Sequence, residues 1–107
     1  MSHFVIACYS PKPGREYDLI NLVRNHVPRL QELEMATPRP PVVLRNRDGV
    51  IVELFEWTSV AALEDAQRSD EIQDMWKKFN EVSDYKSLDR LPESRELFAE
   101  FELLDLH

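Results

Sequence analysis

The sequence is poor in cysteine and glycine. Its 107 residues include one cysteine, Cys8, and two glycines. A single cysteine cannot form an intrachain disulfide or a cysteine-rich zinc site, and this usage is typical of a reducing cytoplasm. We expect Cys8 to be a small buried apolar residue of a strand rather than a nucleophile. Two glycines also leave no glycine-rich phosphate loop and no dinucleotide-binding fingerprint.

Long apolar runs and positive charge are also scarce. The longest apolar run, Phe4 to Tyr9, has six residues, which is too few for a membrane span or for the core of a signal peptide. Lys and Arg number 13 against 20 Asp and Glu, for a net charge of −7, whereas a nucleic-acid partner would need a basic face. We therefore expect a cytoplasmic protein of one domain, residues 1–107, with neither a nucleic-acid nor a membrane partner.

The N-terminal third predicts a strand and a helix. Phe4 to Tyr9 is followed by Ser10-Pro-Lys-Pro-Gly14, where two prolines and a glycine favour a turn. A helix is expected from Arg15 or Glu16 to about Leu33, because its apolar residues recur at steps of three and four. Pro28 lies inside this helix and should kink or break it.

A β-hairpin is the strongest local signal. Asp48-Gly49 suits a two-residue type I′ turn, which needs positive φ, and its flanks are rich in β-branched and aromatic residues. This turn predicts that Leu44 pairs with Glu53 and Asn46 with Ile51. Alternation then places one set of residues on the same sheet face: Val42, Leu44, Asn46, Ile51, Glu53, Phe55 and Trp57.

The second half of the chain predicts more helix and a last strand. Helical spacing runs from Leu63 to Val82, and Ser69-Asp70 should divide it into two pieces because both residues cap helices well. Tyr85 to Ser94 is a polar connector, and Leu97 to Leu104 predicts a strand. The order β-α-β-β-α-β indicates an α+β fold of ferredoxin-like type, with a four-stranded antiparallel sheet and its helices on one face.

The predicted strands are apolar on both faces of this sheet. Apolar residues stand at both parities: Phe4, Ile6, Val42, Leu44, Ile51, Phe55, Leu97 and Phe101. A sheet that is apolar on both faces needs cover on both, and the helices cover one. We therefore expect a homodimer whose two sheets close into a barrel.

The segment Glu53-Leu-Phe-Glu-Trp-Thr-Ser-Val-Ala-Ala-Leu63 carries a family resemblance. With the order of elements, it resembles the dimeric α+β barrel superfamily, in particular antibiotic-biosynthesis-monooxygenase-like proteins, which carry an acidic-x-Trp-x-Ser segment before a helix. Trp57, Ser59, Ala62-Leu63 and Ser69-Asp70 fall where that pattern has them. The resemblance covers nearly the whole chain in layout. It implies a small-molecule enzyme, because the superfamily includes cofactor-free monooxygenases, heme-degrading enzymes, isomerases, and dehalogenating or decarboxylating relatives.

The residues do not support a heme or a metal. The resemblance would place a heme-ligating His at Trp76, an Asn near Ala7 and a Trp near Ala66, and none of these three is present. His3 and His107 lie near the chain ends, and no H-x-H or H-x-x-x-H spacing exists to hold a metal. We therefore expect neither a cofactor nor a metal.

Two titratable residues are candidates for an acid or base. His26 borders the apolar stripe of the first helix, and an imidazole can act as both acid and base near neutrality. Its alternative role is that of a boundary histidine bonded to backbone or water. Glu53 is a carboxylate among aliphatic and aromatic neighbours, where an unpaired charge is costly. Its alternative is to face solvent at a barrel mouth or to pair with an arginine.

The resemblance implies a reaction for these residues. In a cofactor-independent monooxygenase, the pocket deprotonates a phenolic or enolic substrate, and the resulting anion activates oxygen. Glu53 or His26 would be the base. Asn46 and Arg45 would hold oxyanions, and the other residues expected around the substrate are Tyr9, Trp57 and Trp76. The favoured alternative for both tryptophans is a place in the core or at a subunit interface, as is usual for large residues at helical or strand spacing. The alternatives are an isomerase or lyase on this scaffold, and a non-catalytic small-ligand-binding or assembly module.

Overall fold

The computed structural model describes residues 3–106. In chain order its elements are β1 (His3–Pro11), α1 (Glu16–Glu32), β2 (Val42–Arg45), β3 (Ile51–Trp57), α2 (Val60–Arg68), α3 (Asp70–Val82), β4 (Ser83–Lys86) and β5 (Glu102–Leu103). Two 3₁₀ turns, Leu88–Arg90 and Pro92–Arg95, follow β4. No helix in this described part of the chain is long and apolar enough to cross a membrane.

The strands form one antiparallel sheet in the order β4-β1-β3-β2-β5. The α+β class is confirmed, with three α-helices beside the sheet. The prediction of four strands is wrong, because the described chain forms five. The central strands β1 and β3 pair from His3 with Trp57 to Tyr9 with Ile51.

The additional strand arises where α3 ends. Ser83 closes α3 by donating its Oγ hydrogen to the carbonyl of Phe79 at 2.7 Å, and the chain turns at once into β4, which pairs with β1. This segment takes the free edge of β1, so the C-terminal residues can add only to β2 at the opposite edge. The predicted strand Leu97 to Leu104 is therefore reduced to the two residues of β5, and the predicted connector from Tyr85 begins as a strand.

The hairpin between β2 and β3 has a three-residue loop, and the predicted two-residue turn is wrong. The backbone N–H of Asn46 donates to the carbonyl of Val50 at 3.0 Å and closes the loop. Gly49 has a φ of 86°, the left-handed conformation that such loops require at one position. The Oδ1 of Asn46 accepts from the backbone N–H groups of Asp48 and Val50 at 3.0 and 2.8 Å, which favours this loop over the shorter turn.

The longer loop shifts the pairing of β2 with β3 by one residue. Val43, rather than Leu44, lies opposite Glu53. Because side chains alternate along a strand, this shift moves Val42 and Leu44 to the other face of the sheet. The prediction that these two share a face with Glu53 is therefore wrong, whereas Phe55 keeps its predicted face because it belongs to the same strand as Glu53.

The helices follow the predicted pattern. α1 runs without a break through Pro28, because the loss of one backbone hydrogen bond does not end a helix of this length when its apolar stripe is buried. The predicted division at Ser69 is confirmed. The Oγ of Ser69 caps α3 by accepting from the N–H of Ile72 at 3.3 Å, and Ser59 caps α2 by accepting from Ala62 at 3.1 Å.

The three α-helices pack on one face of the sheet. The buried residues of this helix-covered face are Tyr9, Leu19, Val23, Val27, Leu30, Val43, Ile51, Phe55, Trp57, Ile72, Phe79 and Val82. On the opposite face Leu91, from between the 3₁₀ turns, forms a smaller cluster with Cys8 and Val52. Cys8 is buried, as predicted.

The rest of that opposite face carries apolar side chains that this chain covers only in part. We call the residues Phe4, Ile6, Val42 and Leu54 the open face. Leu54 pairs with Ile6 on β1 and with Val42 on β2, so these three form a row across the central strands. Phe4, Ile6 and Val42 are 53, 49 and 42% exposed, and the Arg39 guanidinium lies 5.4 Å from the centre of the Phe4 ring.

Candidate functional site

Glu53 is a fully buried carboxylate on the helix-covered face. It lies in the middle of β3, and its cross-strand neighbours are Ala7 on β1 and Val43 on β2. No part of the residue is exposed, at 0%. Neither neighbouring side chain can form a hydrogen bond, so the carboxylate must find its partners above the sheet or further along it.

α1 brings His26 to this carboxylate. His26 belongs to the buried stripe of α1 and is 3% exposed. Its Nδ1 lies 2.9 Å from the Oε1 of Glu53. The imidazole meets Phe55 and Phe79 edge to face, with ring centres 5.7 and 5.1 Å away. Aromatic contacts on two sides leave the imidazole little freedom to rotate, so its orientation toward Glu53 is fixed.

Tyr9 is the second partner of Glu53. It lies two residues beyond Ala7 on β1, diagonal to Glu53 on the same face. Its hydroxyl donates to the Oε1 of Glu53 at 3.0 Å, and its ring stacks on Phe79 at 4.9 Å. Burial, the charge of Glu53 and this hydrogen bond raise the pKa of Tyr9 well above its usual value, because a tyrosinate would place a second negative charge beside the carboxylate. Tyr9 therefore remains a proton donor.

Trp76 on α3 determines the tautomer of His26. The indole Nε1 lies 3.0 Å from the Nε2 of His26, and an indole nitrogen can only donate. Nε2 is therefore the acceptor, and the ring proton is on Nδ1, which donates it to Glu53. His26 is thus a neutral imidazole whose basic nitrogen faces Trp76. We call Tyr9, His26, Glu53 and Trp76 the buried cluster.

Two buried polar atoms have no hydrogen-bond partner within the described residues, Glu53 Oε2 and Trp57 Nε1. Both hydrogen bonds to Glu53 reach Oε1 and leave Oε2 without a donor. Trp57 packs on Phe55 with ring centres 5.0 Å apart. An unpaired polar group in a core costs about 1–3 kcal/mol, and in native proteins such groups accompany strain, bound water or a catalytic role.

Arg45 and Asn46, the two residues predicted to hold oxyanions, lie outside the buried cluster. The Arg45 guanidinium pairs with Glu16 at 2.7 Å and with Glu102 at 2.6 Å. The amide of Asn46 donates to Glu93 at 3.1 Å, and its oxygen is bonded to the hairpin loop. Both residues line a separate groove of about 330 Å³ at the hairpin end of the sheet.

Glu53 and His26 lie away from the principal surface grooves. Among the grooves of the described surface are four of about 290 to 550 Å³, and Glu53 and His26 line none of these four. One of about 390 Å³, which we call the helix groove, lies between α1 and α3 and is lined by Leu22, Asn25, Glu71, Asp74, Met75 and Lys78. Leu22 is one helical turn before His26, and Met75 precedes Trp76, so the helix groove runs beside the turns that carry the His26–Trp76 contact.

A metal-binding arrangement is absent among residues 3–106. No group of three or more His, Cys, Asp or Glu side chains in this part of the chain could hold a metal ion. His107 lies outside the described residues. The absence of a metal therefore stays a prediction from the sequence.

The sequence did not predict that two phenylalanine rings contact the imidazole of His26. Phe79 contacts both His26 and Tyr9, and Phe55 contacts the other side of the imidazole. The available signal was the position of Phe79, three residues after Trp76, which puts both on the apolar stripe of one helix.

The buried cluster joins a phenol, a carboxylate, an imidazole and an indole through hydrogen bonds of 2.9 to 3.0 Å. Chemically, it can receive a proton at His26 Nε2 and stabilise the imidazolium through Glu53. The functional interpretation therefore rests on this geometry alone. In comparisons with protein-family models, with curated proteins and with solved structures, the chain matched none of them.

Proposed function

We propose that the protein is a small-molecule enzyme in which His26 is the general base and Glu53 orients it. The observation that carries this proposal is the buried hydrogen bond of 2.9 Å between His26 Nδ1 and Glu53 Oε1. A carboxylate on one ring nitrogen holds the imidazole in place and stabilises the imidazolium that forms when the other nitrogen takes a proton. That other nitrogen, Nε2, accepts the N–H of Trp76 and is therefore unprotonated.

The proposed substrate is an electron-rich phenol or enol, and the proposed reaction is a cofactor-independent monooxygenation. Transfer of the hydroxyl proton to Nε2 leaves an anion that reduces dioxygen directly. For a substrate whose enol derives from an activated methylene group, the overall change converts that group and dioxygen into a carbonyl group and water. This change balances without an external reductant, so the chain's own residues need only bind the substrate and move its proton.

We also propose that the sheet belongs to a ferredoxin-like, dimeric α+β barrel. The spatial order β4-β1-β3-β2, with the helices on one face, supports this assignment. The open face supports the dimer, because Phe4, Ile6 and Val42 are about half exposed, and an apolar sheet face is unfavourable in water unless it is covered. A second copy would cover it with the same four residues.

Oxygen uptake in the presence of hydroxylated aromatics and enolisable ketones tests the proposed reaction. The wild-type protein is expected to consume oxygen with at least one compound of such a panel. Glu53→Gln keeps the shape of the side chain and can still accept from Nδ1, but it lacks the charge that stabilises the imidazolium. Its kcat should fall by about 100-fold or more, and His26→Gln should lose at least as much.

Glu93→Gln is the matched control, because Glu93 is also a buried carboxylate, 1% exposed, but is bonded to Asn46 and Arg47 outside the buried cluster. Its kcat should equal that of the wild type. No uptake across the panel, or an equal kcat in Glu53→Gln and wild type, would contradict the proposal. Deuterium exchange into a substrate without oxygen uptake would favour an isomerase or lyase, and saturable binding without either would favour a non-catalytic module.

A further inference from the structure

The nitrogen that must receive the proton is already occupied. Trp76 donates its indole N–H to His26 Nε2 at 3.0 Å, and an imidazole nitrogen of this kind accepts one hydrogen bond in the ring plane. A substrate hydroxyl therefore cannot reach Nε2 until the indole N–H leaves it. The base of the proposed function is capped by a side chain of the protein itself.

Resting on that proposed function, we propose that the indole of Trp76 holds the place of the ligand. The site would then take a flat aromatic molecule of one or two rings that carries an O–H or N–H donor on its edge. This molecule displaces Trp76 and donates to His26 Nε2 in its stead. The cap thus indicates both the shape and the donor chemistry of the ligand class.

The burial of the cluster members identifies Trp76 as the one that can move. Tyr9, His26 and Glu53 are 4, 3 and 0% exposed, whereas Trp76 is only partly buried. Trp76 packs against the two core clusters from their edge. Its neighbour Met75 lines the helix groove of about 390 Å³, a volume within the range of small-ligand sites.

The unpaired Oε2 of Glu53 adds a reason for the capped state to give way. This atom is buried and accepts no hydrogen bond within the described residues, so the closed arrangement retains an uncompensated cost. Proton transfer from a ligand to His26 would turn the imidazole into a cation beside this carboxylate and would offset that cost. The indole N–H cannot do this, because an indole does not give up its proton near neutrality.

The first test uses Trp76→Phe and the probe 2-naphthol. Phenylalanine keeps an aromatic ring at position 76 but has no donor, so 2-naphthol no longer competes with an indole N–H for His26 Nε2. The dissociation constant of 2-naphthol, measured by calorimetry, should be about fivefold lower for Trp76→Phe than for the wild type, a ratio that corresponds to the net free energy of one hydrogen bond. The matched control is Tyr17→Phe, because Tyr17 is an aromatic donor on α1 that is 84% exposed and lies outside the buried cluster. It should bind 2-naphthol like the wild type.

The second test uses Trp76→Gly, which leaves a space of the indole's shape. Free indole should bind there, and benzofuran, which has the same outline but no N–H, should bind about tenfold more weakly because Nε2 is left without a donor. In both tests the ¹⁵N resonance of His26 Nε2 should shift on saturation. An equal dissociation constant in wild type and Trp76→Phe, equal affinities for indole and benzofuran, or an unmoved Nε2 resonance would each overturn the proposal.

These measurements do not depend on turnover, so the two proposals can fail separately. Tighter 2-naphthol binding by Trp76→Phe without oxygen uptake would support the proposed ligand site and contradict the proposed monooxygenase. Oxygen uptake that requires His26, with no change of dissociation constant in Trp76→Phe, would support the proposed enzyme and contradict the role proposed for Trp76.

Discussion

At the scale of single residues, the two carboxylate oxygens of Glu53 differ in their hydrogen bonds. Oε1 accepts from both Tyr9 and His26, and Oε2 accepts from neither. Removal of the Tyr9 hydroxyl would therefore leave a fully buried carboxylate with one donor. Such a loss is more costly than the net value of an ordinary hydrogen bond, because the remaining charge stays desolvated.

We predict that Tyr9→Phe lowers the free energy of unfolding by about 2 kcal/mol, the cost of a missing donor to a buried charged group. Urea denaturation of the variant and the wild type measures this difference. Tyr17→Phe is the control, because Tyr17 is 84% exposed, and it should change stability by less than about 0.5 kcal/mol. Equal stability of Tyr9→Phe and the wild type would contradict the role assigned to the hydroxyl.

The sequence indicates Glu53 and His26 as candidate acid or base residues, because each interrupts an apolar pattern with a titratable group. Such an interruption is visible in one strand or one helix taken alone. The contact of His26 with Trp76 was not predictable, since it depends on how α1 and α3 lie against each other. Helical periodicity gives the buried stripe of each helix, but it does not give their relative placement along the sheet.

At the scale of elements, Glu93 ties the second 3₁₀ turn to the hairpin loop. It accepts from the amide of Asn46 at 3.1 Å and from the Nε of Arg47 at 2.9 Å. Burial opposes ionisation of Glu93, but hydrogen bonds from its own backbone, Asn46 and Arg47 together lower its pKa below the usual value of 4.5.

This lowered pKa predicts an acid-sensitive contribution to stability. A carboxyl whose pKa is lower in the folded state stabilises the fold above its unfolded-state value, and the stabilisation is lost as the pH falls through the folded-state value. The wild type should therefore be more stable than Glu93→Gln at about pH 7, and the difference should shrink below about pH 4.5. Urea denaturation at several pH values measures it. A difference that stays constant down to about pH 3 would contradict the prediction.

The hairpin shows which part of a sheet can be predicted from sequence. Along β3 the alternation of Glu53 and Phe55 is correct, because a period of two within one strand needs no knowledge of its neighbour. The cross-strand partner of Glu53 cannot be predicted from β3 alone, because it depends on the length of the hairpin loop. One additional loop residue, favoured by the side chain of Asn46, exchanges Leu44 for Val43.

At the scale of the whole molecule, the two edges of the sheet decide where the C-terminal segment goes. β4 occupies the edge of β1 as soon as α3 ends, so Leu97 and Phe98 remain 89 and 84% exposed instead of forming a strand. β-propensity predicted a strand from Leu97 to Leu104, and only Glu102–Leu103 forms one, because propensity does not tell which edge is already occupied.

The proposed dimer predicts a specific effect of charge on the open face. The wild type should sediment at micromolar concentration with twice the mass of one chain. Ile6→Glu should weaken the association by at least about tenfold, because in a symmetric interface each substitution buries two like charges. Analytical ultracentrifugation measures both masses, and circular dichroism checks that the variant is folded.

Tyr17→Glu is the control for the open face, because Tyr17 is a large, 84% exposed side chain on α1, away from the open face. It should sediment like the wild type. A wild-type mass of one chain at micromolar concentration, or equal association of Ile6→Glu and wild type, would contradict the dimer.

The unlike surroundings of the two tryptophans have an optical consequence. Trp57 lies in a buried apolar cluster and its N–H has no acceptor among the described residues, so its emission should be blue-shifted and little affected by the solvent. Trp76 is only partly buried and its N–H donates to His26 Nε2, so its emission should lie at longer wavelength than that of Trp57 and should change when this hydrogen bond breaks. Trp57 can therefore serve as an internal reference for Trp76. A shift in the wavelength of the intrinsic emission would report, without any added label, the displacement of Trp76 from His26 by the proposed ligand.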